Sequence, residues 1–281
     1  THHVNKQWLR MWKRVLPWII GDRLWTTVRR LNKLIPGYKI HETPDADIYP
    51  TKKFWNDNQI DPISKKHYKN NMLLAAVLKN RLTNISFTSK EKKKGEEVLQ
   101  SLGIPSGKKY ICFWARDSAY LDTVQSSTDW SYHDYRDSSI HNYVPAAEEM
   151  ANCEYYALRM GAVVNEKIHS SNPLLIDYAS SDQRTDFSDI YLGSHCHFFL
   201  CSDGGISAIP ELFRKPVVYA NWTRINGLIT ASYIVSGLVI FKKYYLKKEN
   251  RFLTFSETLD IDLGTRDSNE ILSGLNLQLI E

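Results

Sequence analysis

A chain of 281 residues with 43% hydrophobic and 24% charged side chains has the balance of a folded protein of one or two domains, which excludes general disorder. Its formal net charge of +5 favours a phosphorylated ligand or an anionic surface. It is too small to mark a dedicated nucleic-acid binder, so no nucleic-acid partner is expected. No apolar run approaches the roughly 18 residues needed to span a bilayer, and no signal peptide opens the chain. Cys112, Cys153, Cys196 and Cys201 lack Cys-x-x-Cys spacing, and three of them sit in apolar stretches. We therefore expect a soluble, cytoplasmic protein with reduced thiols. The first residue is Thr1, not methionine, and residues upstream are expected.

The first hundred residues read as helical and strand-poor. In Lys6 to Leu16, the apolar Trp8, Leu9, Trp12, Val15 and Leu16 share one helical face opposite Lys6, Arg10, Lys13 and Arg14, and Pro17 ends the pattern. A second amphipathic segment sets Leu24, Trp25, Val28, Leu31 and Ile35 against Arg29, Arg30 and Lys33 before Pro36-Gly37. Such a pair reads either as core-facing helices with a solvated back or as a basic, Trp-bearing surface for peripheral membrane contact. Residues 41–71 read as a long surface segment and Met72 to Leu82 as a buried helix. Thr88 and Glu91 have the spacing of a capping box. That helix should end at Gly103, and Ile104-Pro105-Ser106-Gly107 reads as a linker. The expected division falls there, between a helical, incomplete portion over 1–105 and a second domain over 106–281.

After the linker the period changes. Lys109 to Ala115 is a compact apolar run suited to a central parallel strand. A helix is expected over Tyr143 to Met160, with strands over Gly161 to Val164 and Leu174 to Ile176. Asp186 to Gly193 reads as helix, His197 to Cys201 as strand, Ser207 to Phe213 as helix and Pro216 to Ala220 as strand. This alternation predicts an α/β fold with a doubly wound parallel sheet, whose ligands bind beyond the carboxyl ends of the strands.

The residues that follow those strands are polar: Arg116-Asp117, Asp177-Tyr178, Ser202-Asp203-Gly204-Gly205 and Asn221. Each has two readings. Arg116 and Asp117 form a structural ion pair, or Arg116 meets a ligand phosphate. Asp177 and Asp186 cap helices or form turns, or Asp177 and Tyr178 contact base or ribose. The glycines of Ser202-Asp203-Gly204-Gly205 serve only a tight turn, or its amides hold a phosphate at the start of the next helix.

Arg116-Asp117-Ser118-x-Tyr120, Tyr135-Arg136-Asp137-Ser138-x-Ile140-x-Asn142-Tyr143-x-Pro145-Ala146 and Leu158-Arg159-Met160-Gly161 carry a resemblance to a family of bacterial glycosyltransferases encoded in surface-polysaccharide gene clusters. Ile176-Asp177-Tyr178-Ala179, Thr185-Asp186-Phe187-x-Asp189-Ile190-Tyr191-Leu192 and Phe213-Arg214-Lys215-Pro216-x-Val218 extend it, so that it covers about residues 109–221. Gln7-x-Leu9-x-Met11-Trp12-Lys13-Arg14 is similar more loosely. The resemblance implies a GT-B architecture, two Rossmann-like domains facing across a cleft, with the sugar nucleotide held by the C-terminal one. It extends to fucosyltransferase-type enzymes with His-x-Arg after the first strand. Trp114 stands at that His position, and Ser202-Asp203-Gly204 replaces a simpler Ser-Gly turn.

Glycosyl transfer to a glycan or lipid-linked acceptor requires stabilisation of a departing diphosphate, for which Arg116, Arg159 and Lys215 are candidates. A base is needed if the reaction inverts, and Asp117, Asp137 and Asp203 are candidates. Asn142 and Tyr143 suit the sugar or its phosphate, and Asn221 reaches the same edge. No cofactor is expected, and metal sites read weakly. Asp45-Ala46-Asp47 lacks a preceding strand, Asp260-Ile261-Asp262 arises by chance, and His195-Cys196-His197 needs further ligands. An epimerase of the same architecture and a catalytically silent sugar-binding module are the alternatives.

Overall fold

The computed structural model describes residues 5–15, 31, 34, 36, 83, 85–223, 237–261 and 268–281. The second amphipathic segment (but for isolated positions), the 41–71 stretch with Asp45 and Asp47, and the run Met72 to Leu82 lie outside them.

At the centre is a six-stranded sheet, all of its pairings parallel, in the order β3-β2-β1-β4-β5-β6. Its strands are β1 (Tyr110–Trp114), β2 (Tyr156–Arg159), β3 (Leu175–Ile176), β4 (Phe199–Cys201), β5 (Val217–Trp222) and β6 (Gly237–Phe241). That order is the one that distinguishes Rossmann-like dinucleotide-binding sheets. The β1 run is apolar because both of its faces are covered. Tyr110 and Cys112 join Leu192, Cys196 and Trp222 in one core layer, while Ile111, Phe113 and Ala115 join Tyr143 and Ala147 in the other. Cys112, Cys196 and Cys201 are buried free thiols and Cys153 is exposed.

Helix α1 (Lys6–Val15) comes first in the chain, followed by α2 (Ser89–Ser101) and α3 (Ala119–Val124). Then come α4 (Val144–Asn152), α5 (Asp186–His195) and α6 (Ala208–Leu212). α1 and α2 pack on α5, burying Met11, Phe87 and Phe187 together. Residues on the two sides of the boundary expected at 105 thus share one core. The capping box is present: Thr88 Oγ1 accepts from Glu91 N at 3.2 Å, and Glu91 Oε2 accepts from Thr88 N at 2.8 Å. α2 stops at Gly103, whose φ of +77° is left-handed backbone that glycine adopts without a Cβ clash.

Two expectations are corrected. The helix expected over Tyr143 to Met160 ends at Asn152, and Tyr156–Arg159 is the strand β2; Gly161 to Val164 is loop. The apolar spacing carried on past Asn152 because α4 and β2 bury neighbouring residues in the same layer, so periodicity alone does not separate them. The helix expected over Ser207 to Phe213 is present, one residue shorter at each end. A three-residue 3-10 helix, Gly205–Ser207, leads into the five residues of α6.

Beyond β6, residues to the end form a three-stranded antiparallel sheet in the order β8-β7-β9, from β7 (Lys243–Leu246), β8 (Arg251–Phe252) and β9 (Leu277–Ile280). α7 (Phe255–Leu259) and α8 (Ser268–Gly274) accompany it. Its Tyr244 and Leu277 pack with Leu272 on Tyr135, in the 3-10 helix Ser131–Arg136. This small sheet therefore braces the segment that carries Arg136 and Asp137.

Candidate functional site

In a 3-2-1-4-5-6 sheet the chain reverses its direction of travel between β1 and β4, and the crossovers leave a crevice at their carboxyl ends. A cleft of about 530 Å³ lies there. Trp114, Arg116 and Asp117 from the β1 end and Gly204 and Gly205 from the β4 end line it. Trp130, His133 and Arg136 close one side, and Asn5, just before α1, and Trp8 of α1 contribute to its wall. Gly161 follows β2 into the same wall, at φ +154°.

Arg116 is 7% exposed. Its backbone N–H donates to Ser202 Oγ at 2.7 Å, which ties the ends of β1 and β4 together. Its guanidinium is paired with Asp137, not with Asp117. Asp117 instead staples the loop: Oδ1 accepts from Ala119 N and Oδ2 from Asn165 N, each at 3.1 Å. The structural pair expected at Arg116-Asp117 is thus replaced by one with a residue twenty-one positions on. Burial pushes the Asp137 carboxyl up to about 6, against the opposing pull of Arg116.

Arg136 mirrors this arrangement. Its Nη2 lies 3.0 Å from Asp203 Oδ2 and donates to the Asp203 carbonyl at 3.0 Å. The repulsion between Asp203 and a ligand phosphate is thereby offset by a cation. Trp114 meets the turn closely, since a Cβ on Gly204 would stand 2.3 Å from its ring, whereas the same position on Gly205 opens onto empty space. The turn leads into a helix too short to build a sizeable macrodipole, so any anion affinity there rests on the arginines and on local amides.

The remaining expected residues are spread over several places. Arg159, 2% exposed, pairs with Asp177 at 3.1 Å and donates to the Glu166 carbonyl at 2.9 Å. Tyr178 donates to Asp189 at 2.7 Å, and Asp189, also bound by Arg184 at 2.9 Å, lines the cleft. Tyr143, Asn142 and Asn221 gather around Glu281. Tyr143 Oη donates to the Ala220 carbonyl at 3.1 Å, Asn221 Nδ2 lies 3.4 Å from Tyr143 Oη, and Asn142 donates to Glu281. Asn221 has φ +57°, where the β5–β6 register shifts. Lys215 precedes β5 and so sits at the opposite, amino-terminal edge of the sheet, away from the cleft.

Sequence reasoning assigned no role to Arg136, Trp130, His133, Trp8 or Lys242. Arg136 carried a signal, since it sits within the Tyr135-Arg136-Asp137 motif; Trp130 and His133 follow no strand and arrive through the long β1–β2 connection, Trp8 arrives on α1, and Lys242 directly follows β6. Lys242, buried beside β6, donates to the Asp137 carbonyl and lies 3.4 Å from Glu281 Oε1; burial lowers its ammonium from the ordinary lysine range. Among the described residues there is no group of three or more His, Cys, Asp or Glu side chains placed to hold a metal ion. His195 Nδ1 is engaged by Ser194 Oγ at 2.9 Å and the Tyr191 carbonyl at 3.0 Å, while His197 lies against the Tyr155 ring, so the two do not converge. Asp260 caps α7, and Asp262 lies outside the described residues. No described helix is long and apolar enough to cross a membrane.

Strand order and cleft position make this an α/β chain with a Rossmann-like parallel sheet. The chain matches no family model, no curated protein and no solved structure.

Proposed function

We propose that the chain is a metal-independent glycosyltransferase of GT-B type. In this reading it moves a sugar from a nucleotide-sugar to a glycan or lipid-linked acceptor in bacterial surface-polysaccharide synthesis, on the inner face of the membrane. The observation that carries the reading is the cleft at the β1–β4 reversal, lined by two arginines and three tryptophans. In this proposal the donor diphosphate meets Arg116 and Arg136, and the indole rings cover the sugar and base. The acceptor oxygen forms a bond to the anomeric carbon as the bond to diphosphate breaks, and the electron pair leaves with the phosphate. The acceptor proton goes to a carboxylate; the candidates are Asp117, which lines the cleft, and Asp137, which stands behind the wall on Arg116 with its carboxyl near 6.

A second reading has its own observation. Both cleft arginines already hold carboxylates, which suits a sugar-binding module without turnover. Donor hydrolysis separates the readings. Slow hydrolysis accelerated by acceptor, and retained in excess chelator, supports the transferase; a new sugar isomer identifies an epimerase; binding with no turnover leaves the module. Activity lost to chelator and restored by Mn²⁺ rejects the GT-B reading.

A further inference from the structure

The charge of this protein is unevenly placed. α1 holds Lys6, Arg10, Lys13 and Arg14 and no acid, and α2 holds Lys90, Lys92, Lys93 and Lys94 against Glu91, Glu96 and Glu97. The two helices therefore carry a net +5, equal to the formal net charge of the whole chain, and all other residues balance to zero. All eight cations are exposed. At 100° per residue the four on α1 fall within about a third of the helix circumference, the centre of their arc about 110° from the buried Met11.

Contacts join the two helices into one surface. Gln7 Nε2 at 2.7 Å and Arg14 Nη1 at 2.9 Å both donate to Glu91 Oε1, and Arg14 Nη2 donates to the Ser86 carbonyl at 2.9 Å. Lys94 Nζ stands 4.7 Å over the Phe187 ring, and the neighbouring Asp186 accepts from Lys6 N at 2.8 Å. The same α1 lends Trp8 to the cleft, and Asn5 just before it joins the lining, so the cationic surface adjoins the site.

We propose that this α1–α2 surface docks the protein on an anionic bilayer, with lipid headgroups as its occupant. Six of the eight cations are lysines, compact charges suited to a diffuse negative surface and poorly suited to bidentate recognition of a fixed phosphate. Among the described residues, Phe87 and Phe187 are buried beneath the helices and Trp8 and Trp12 pack against the same core, Trp8 at the cleft wall, so the cations of this face are not interleaved with exposed rings that could stack nucleic-acid bases. The inference does not rest on the transferase reading, because the measurement below contains neither donor nor acceptor.

Co-sedimentation of the full chain with vesicles tests it. Binding is expected to mixed phosphatidylglycerol–phosphatidylcholine vesicles and not to pure phosphatidylcholine, and it should disappear at high salt as the screening length shortens. Reversing Arg10, Lys13, Lys90 and Lys93 to Glu should lower the partition coefficient at least about a hundredfold with unchanged melting. None of the four lines the cleft. Should the reversed variant melt early, the same four positions changed to Gln must still weaken partition by at least about tenfold. Equal binding to neutral vesicles, or full binding by a folded variant, overturns the proposal. So does capture of duplex RNA or an acidic peptide without vesicle binding, which would assign the surface to that partner.

Discussion

Arg116 and Arg159 occupy matching places, one just beyond β1 and the other at the end of the adjacent β2, and both are almost wholly buried. Their surroundings differ. Arg159 is held at both terminal nitrogens, although its buried Nε has no partner: Asp177 takes its Nη1, the Glu166 carbonyl takes its Nη2, and the second Asp177 oxygen accepts from Ile168 N at 3.1 Å. Arg116 lies on the cleft wall, and its partner Asp137, with a side chain 26% exposed, is held near 6. The first pair is built to stay; the second can exchange its carboxylate for a ligand or a proton. Two arginines that look alike in the chain thus separate into scaffold and site by what their partners can do.

The largest expected effect is on the scaffold side. Arg159→Met strands Asp177 without its cation, at a cost on the order of 3–5 kcal/mol, read as a large fall in melting temperature. If the variant melts normally, the network is not what holds β2 to β3. Arg116→Ala should behave differently, because Asp137 can take up a proton near neutrality when its partner is gone. We expect nucleotide-sugar affinity to fall at least about thirtyfold, or roughly 2 kcal/mol, with a smaller loss of melting temperature than Arg159→Met. Normal binding in that variant would remove Arg116 from the site. A collapse in melting equal to that of Arg159→Met would erase the distinction between the two.

The same contrast shows what was legible in the chain. The order of strands and the polar residues after them could be read, because a parallel sheet buried on both faces imposes apolar runs and hands its loops to one edge. Arg116, Asp117, Gly204 and Gly205 were found that way and do line the cleft. Pairing was not legible. Nothing in local spacing indicates that Arg116 meets Asp137, or that Arg136 meets Asp203 sixty-seven positions away. Lys215 was a candidate by its charge alone, and as a residue just before β5 it stands at the amino-terminal edge. The small C-terminal sheet went unread because its strands are short and half-exposed, with little periodic signal.

A smaller effect is expected at the floor of the cleft. Gly204→Ala would place a methyl group within 2.3 Å of the Trp114 ring, although its extended backbone (φ −172°) accepts any residue. The ring must move, at a cost of about 1–3 kcal/mol. Trp114→Leu in the same chain should restore part of the melting temperature, as a non-additive pair does. Additive losses would show that Trp114 does not rest on the turn.

The smallest effect belongs to the proton on Asp137. Its carboxyl is raised to about 6 chiefly by burial, while Arg116 pulls it down and Asp134 and Asp117 push it up; Lys242, bonded to its carbonyl, adds a further positive charge nearby. A folded state that holds a proton more tightly than the unfolded chain has this stabilisation in full below about pH 4 and loses it as pH rises through about 6. A shift of about two units sets a ceiling of about 3 kcal/mol, and screening at a side chain still partly in water reduces it to about 1 kcal/mol. Asp189 and Glu211, raised by burial too, tilt the wild-type profile in the same direction. The informative quantity is therefore the difference between proteins. In urea unfolding at about pH 4.5 and about pH 7.5, Asp137→Asn should lose less stability across the interval than the wild type by about 1 kcal/mol. Parallel profiles would mean that Asp137 does not take up this proton, and that the cleft pair is scaffold as well.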